Sequence, residues 1–135
     1  MLGNSKVFID SCILIEYLKG NIILDKKICY INGIVLMELY IGAKNKRELI
    51  ALKKELQGFN ILEINQNVIN LSTQIIENYA LSHGAKIQDA IISSTCLLHN
   101  IAIYTLNLKD FKYIEGLKIV SLEKKYIRNR NEYKY

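Results

Sequence analysis

Val7-Phe8-Ile9-Asp10-Ser11-Cys12-Ile13-Leu14 is the stretch that decides the fold of this chain. An apolar run leads into a lone carboxylate, and an apolar stripe of helical spacing follows at once. Residues 6–10 read as a short buried strand. Residues 11–19 read as a helix with Ile13, Leu14, Tyr17 and Leu18 on one face, closed by Gly20. A strand that passes directly into a helix is the opening unit of a parallel α/β sheet.

The same theme returns twice. Glu38 stands in Ile34-Val35-Leu36-Met37-Glu38-Leu39-Tyr40-Ile41, and Asp89 in Ile87-Gln88-Asp89-Ala90-Ile91-Ile92. An ionised carboxylate buried without a partner is costly enough that it usually takes up a proton instead. Three such acids in one chain point to a shared cation. Helical spacing puts Glu38 on a face with Ile34, Met37 and Ile41, where a merely solvated glutamate is not expected.

Outward from these segments the pattern alternates. Strands are expected at 28–31, 61–64, 101–105 and 117–120, with the Asn32-Gly33 pair breaking the first of them. Helices are expected at 34–43, 46–56, 68–82 and 88–98, and the last is apolar nearly all round, as for a helix covered on both sides. This order implies a central parallel sheet between two helical layers, a three-layer α/β/α sandwich. In such sheets the site lies beyond the carboxyl ends of the strands. Asp10, Asp89, Asn107 and Asp110 all fall at element ends facing such a crevice, and Glu38 is placed to reach it from the first turns of its helix.

The bulk properties narrow the classes. With 135 residues the chain is one domain, 1–123, followed by a basic tail, 124–135. The tail holds five basic residues and one acid, so it carries +4 of the total +5 and leaves the body near neutral. Its tyrosines, Tyr126, Tyr133 and Tyr135, suit base stacking, or the tail is simply a solvated terminus. Half of all residues are apolar, which points to apolar surface covered by a partner. No run is long enough to cross a membrane and no signal-peptide pattern precedes the first strand. Three widely spaced cysteines without a CxxC pair suit small buried hydrophobes in a reducing cytoplasm. GxGxxG, P-loop and HExxH motifs are all absent.

Carboxylates sharing a cleft repel one another until a cation neutralises them. Hard oxygen ligands favour Mg²⁺ or Mn²⁺. Such ions suit phosphodiester hydrolysis, because they polarise the phosphoryl oxygen and lower the pKa of the attacking water.

Residues 7–14, 33–43, 86–98 and 104–117, in this order and spacing, resemble the PIN-domain ribonucleases, and most closely the VapC toxins of toxin–antitoxin pairs. By that resemblance Asp10, Glu38 and Asp89 are the first three catalytic and metal-binding acids. The fourth falls in Tyr104-Thr105-Leu106-Asn107-Leu108-Lys109-Asp110-Phe111, where the family places an acid at either of two positions. Here the first is Asn107 and the second Asp110, so Asp110 is assigned the role and Asn107 that of a neutral or water-mediated ligand. Ser11 and Thr105 match hydroxyl positions that orient the acids. Cys12 replaces a small polar residue and costs one hydrogen-bond donor near the metal. The resemblance implies an Mg²⁺- or Mn²⁺-dependent ribonuclease, a homodimer, an RNA substrate and a VapB-like antitoxin partner.

Plainer roles compete at each position. Asp10 alone also suits a helix cap, Asp89 a helix N-terminus, Glu38 a buried basic partner and Asp110 a loop. Glu16 lies off the apolar stripe and is expected to be solvated. The charged 46–56 helix is expected to be an exposed face or the border of an RNA path. Two other functions compete as well, a catalytically silent PIN-like scaffold for RNA or protein and an aspartate-nucleophile phosphatase. The latter requires a second aspartate where Cys12 stands.

Overall fold

A computed structural model describes residues 6–121, so the basic tail lies outside the described residues. β1 (Val7–Ile9) runs into α1 (Ser11–Leu18), and a 3-10 turn precedes β2 (Cys29–Asn32). Then follow α2 (Gly33–Ile41), α3 (Lys46–Glu55), β3 (Asn60–Leu62), α4 (Gln66–His83), α5 (Ile87–His99), β4 (Ala102–Thr105) and β5 (Ile119–Ser121).

All five strands are parallel, in the order β3-β2-β1-β4-β5. The chain moves outward from β1 to β3, then returns past β1 to lay down β4 and β5. Right-handed crossovers in opposite directions put helices on opposite faces, which gives the expected three layers. The reversal lies between β1 and β4, which pair from Val7↔Ala102 to Ile9↔Tyr104. The Asp10 amide adds one more rung by donating to the Tyr104 carbonyl at 3.0 Å. Asp10 and Thr105 therefore emerge side by side at the switch point, where open parallel sheets bind ligands.

The core follows from the apolar runs. Val7, Phe8 and Ile9 of the central strand are all buried, as parallel strands covered on both faces should be. They pack with Ile13, Leu14, Ile31, Ile92 and Ile103. In α5, every residue from Ala90 to Cys96 is buried, so this helix is enclosed as expected. Helix ends are set by local chemistry. Asn65 caps α4 by accepting from the Val68 amide, and Gly84 ends it in the left-handed region at φ +65°, where a side chain would be strained.

Boundaries shift by no more than two residues, where strands lie at the sheet edges or helices fray. Two readings need correction. The core face of α2 is Val35 and Leu39, not the Ile34–Met37–Ile41 face, since Met37 is 53% and Ile41 85% exposed. Glu38 thus lies beside an apolar outer surface. A second correction concerns Glu16, which is half-buried and accepts from Asn21 Nδ2 at 2.8 Å rather than standing free in water. The charged face of α3 is exposed, as expected.

Candidate active site

Asp10 is buried, with 4% of its surface exposed, and both of its oxygens are held. Oδ1 accepts from the Ser11 amide at 2.9 Å, so Asp10 does cap α1. Oδ2 accepts from Thr105 Oγ1 at 2.8 Å and from Cys12 Sγ at 3.4 Å. The cap and the site are thus one arrangement. Burial still raises the Asp10 pKa, these hydrogen bonds oppose it, and the charge of Asp110 adds to it.

Glu38 projects from the middle of α2. Its Oε1 is buried without a hydrogen-bond partner. Burial raises its pKa, the Asp10 charge raises it further, and the Ser11 hydroxyl opposes both. None of the groups that shift Asp10 or Glu38 is a cation. The buried basic partner that would give Glu38 a purely structural role is not among them.

Asp89 sits in the first turn of α5, where the helix dipole favours an anion. Burial nevertheless pushes its carboxyl up to about 7, helped by Asp110, Asp10 and Glu38 and opposed by Lys86. The four sequence-selected acids therefore act on one another as a single cluster of negative charge. Asp110, in the 3-10 turn after β4, is the member of the fourth-acid pair that couples to the others. Asn107 contributes its backbone, whose amide donates to Thr105 Oγ1 at 2.9 Å, while the residue itself is exposed.

The donor set is oxygen only, crowded and short of positive charge, and it contains a buried carboxylate oxygen with no partner. It fits a hard divalent cation. Among the described residues, no three histidine, cysteine or acidic side chains are gathered closely enough to enclose an ion unaided. Mg²⁺ takes one or two carboxylates directly and keeps several waters, so it does not need such an enclosing set.

A profile of the PIN domain matches residues 7–117, from the first strand through the fourth-acid segment. The chain belongs to the PIN-domain family. Ribonuclease VapC2 of Methanocaldococcus jannaschii is 30% identical to it, covering 90% of this chain and 97% of that protein. Ribonuclease VapC1 of Rickettsia felis is 33% identical, over 71% of this chain and 78% of that protein. Among solved structures, a toxin–antitoxin complex from Klebsiella pneumoniae matches with a TM-score of 0.65 at 28% identity, covering 86% of this chain and 96% of the other.

Two residues of this PIN domain play parts that their sequence setting does not announce. Cys12 is half-buried, donates to Asp10 and accepts from the Leu106 amide at 3.3 Å, so the thiol supplies the donor that its replacement of a polar residue seemed to cost. Burial and the Asp10 charge push it up to about 11, which keeps it a protonated donor at neutral pH. Cys29 and Cys96 are buried hydrophobes, as expected.

Asn32, read from sequence as a strand breaker, is fully buried and bonds in two directions. Its Oδ1 accepts from the Val35 amide at 3.2 Å and its Nδ2 donates to Thr95 Oγ1 at 3.1 Å. It therefore starts α2 and ties it to α5, the two helices that carry Glu38 and Asp89. An asparagine three residues before a helical amide is a capping signal, but the Asn-Gly pair also signals a turn.

Proposed function

We propose that this chain is a metal-dependent endoribonuclease and the toxin of a toxin–antitoxin pair. The observation that carries the metal dependence is Glu38 Oε1, a buried carboxylate oxygen without a partner in a cluster of mutually repelling acids. The names of the relatives, which are ribonucleases, and the toxin–antitoxin complex among the similar structures support the activity and the pairing.

Asp10, Glu38, Asp89 and Asp110 would hold Mg²⁺ or Mn²⁺, directly or through water. When bound, such an ion lowers the pKa of an attacking water and neutralises charge at the phosphoryl oxygen. The chain's own residues prepare this. Thr105, Cys12 and the Ser11 amide lock the Asp10 carboxylate in one orientation. Asn32 ties α2, which carries Glu38, to α5, which carries Asp89.

A partner surface adjoins the cluster. α1, α2 and α3 enclose a groove of about 500 Å³, lined by Ile15, Leu18, Leu39 and Leu52 and reaching Glu38. This groove suits the apolar face of a VapB-like antitoxin segment, from which a basic side chain would neutralise the acids and silence cleavage. Exposed Ile69 and Ile87 line an apolar groove between α4 and α5, and that face suits a homodimer. The free cysteines suit a cytoplasmic protein, and no described helix is long and apolar enough to cross a membrane.

The test is cleavage of total RNA by protein freed of any partner. Cleavage in Mg²⁺ or Mn²⁺, abolished by EDTA and by Asp10→Asn, is the expected result. Metal binding by folded protein without cleavage of any RNA would favour the scaffold instead.

A further inference from the structure

One aromatic cluster lies outside the acid site and beside it. Tyr79 and His83 stand one turn apart on α4, and both meet Tyr113, which follows Asp110 closely in sequence. The rings of His83 and Tyr113 stack with centroids 4.4 Å apart and planes 11° from parallel. Tyr79 packs edge-on to both, at 5.7 Å from His83 and 5.1 Å from Tyr113, and so braces the pair. Its two edge contacts fix the orientation of the stack.

The cluster adjoins the acids along two routes. α4 ends at His83, and the left-handed turn at Gly84 leads directly into the first turn of α5, which carries Asp89. Tyr113 lies just beyond the turn that carries Asp110. Asp89 and Asp110 both act on the Tyr113 phenol, so the ring lies within their electrostatic reach.

Exposure separates this cluster from ordinary core packing. Tyr79 and Tyr113 are half-buried, but the His83 imidazole on which the stack ends is exposed. Ser82 Oγ lies 2.7 Å from His83 Nδ1 and holds the ring in place. An exposed ring stacked on a braced partner suits another planar ring. Lys86, Lys109 and Lys112 are exposed on the same segments, and Lys86 is near enough to Asp89 to lower its pKa. Lys86 follows His83 by three residues and Lys112 immediately precedes Tyr113. Cations with an aromatic platform are the two parts of a single-strand binding surface, one for phosphates and one for bases.

We propose that His83, stacked on Tyr113, is the shelf on which one nucleobase of the RNA rests, fixing the register of the strand relative to the acid cluster. Lys86, Lys109 and Lys112 take the flanking phosphates. The proposal rests on the ribonuclease reading and adds to it a base site that positions the strand. Stacking accepts any base face, so the shelf sets position more than sequence.

The probe is a fluorescein-labelled single-stranded RNA hexamer, alongside hexamers with one abasic residue at each position in turn. Binding is read by anisotropy in Mg²⁺ on an Asp10→Asn background, where the strand survives. The expected result is roughly tenfold weaker binding for His83→Ala, a similar loss for the abasic residue at one position, and no further loss when the two are combined. His83→Phe, which keeps a stacking plane, should bind like the parent and also reports that the fold is intact. In the cleaving protein, His83→Ala should raise KM and leave kcat nearly unchanged.

Equal weakening on intact and abasic strands would assign His83 to a phosphate and overturn the shelf. Unchanged affinity in a protein that still cleaves RNA would overturn the shelf and leave the ribonuclease reading standing. A parent protein that neither cleaves nor binds RNA would overturn both.

Discussion

Thr105 Oγ1 donates to Asp10 Oδ2 at 2.8 Å, across 95 residues of sequence and the gap between β4 and β1. The bond favours the ionised form of Asp10 against the burial that raises its pKa. Thr105→Val keeps the shape and removes the donor. Cleavage should fall about 10–100-fold, the usual effect of losing a residue that orients a metal ligand. Mg²⁺ affinity at pH 7 should fall with it. Both are measurable on folded protein by calorimetry and single-turnover cleavage. An unchanged rate would mean that Asp10 needs no such support.

Asp89 gives a pH dependence of defined sign. Its folded pKa is raised to about 7 from the ordinary value of 3.8, so between those values the folded state binds more protons than the unfolded. The stability it contributes is fully present below pH 3.8 and is lost as pH rises through about 7. Metal-free protein should therefore lose Tm between pH 5 and pH 8 more steeply than Asp89→Asn does. Mg²⁺ should raise Tm more at pH 8 than at pH 5, because protons compete for the same oxygens. Parallel curves for the two proteins in thermal melts would remove Asp89 from the cluster.

Asn32 links the two helices that carry Glu38 and Asp89. Asn32→Ala removes a helix cap and leaves the buried Thr95 hydroxyl without one of its partners. Together these should cost ~2–4 kcal/mol in urea unfolding. Cleavage by the fraction that remains folded should also fall, since the two helices that carry the acids are no longer tied through this side chain. A loss under 0.5 kcal/mol, in the range of an ordinary surface substitution, would show that α2 is held elsewhere.

The acids were legible in the sequence because a charge inside an apolar run is a one-dimensional signal. Asp10, Glu38 and Asp89 each have it, and the alternating strands and helices supply the crevice that gathers them. The face of α2 was not legible. That helix is apolar on all sides, so its periodicity cannot tell Val35 and Leu39, which meet the core, from Met37 and Ile41, which do not. Cys12 was misjudged because a thiol reads as a hydrophobe until its neighbours are seen. The stack of His83 on Tyr113 joins segments far apart in sequence, with no local pattern to announce it. The edges of β3 and β5 were misplaced because these outer strands are only partly buried and lack a long apolar run.

Glu38→Gln tests the central claim most directly. It keeps the shape of the side chain and removes one charge from a cluster in which that charge is repelled by Asp10 and Asp89. If the acids are kept together for a cation, the metal-free variant at pH 8 should melt higher than the parent, lose its response to Mg²⁺ and lose cleavage. A variant that melts lower without metal, or that still cleaves RNA at the parent's rate, would contradict a shared metal site built on Glu38.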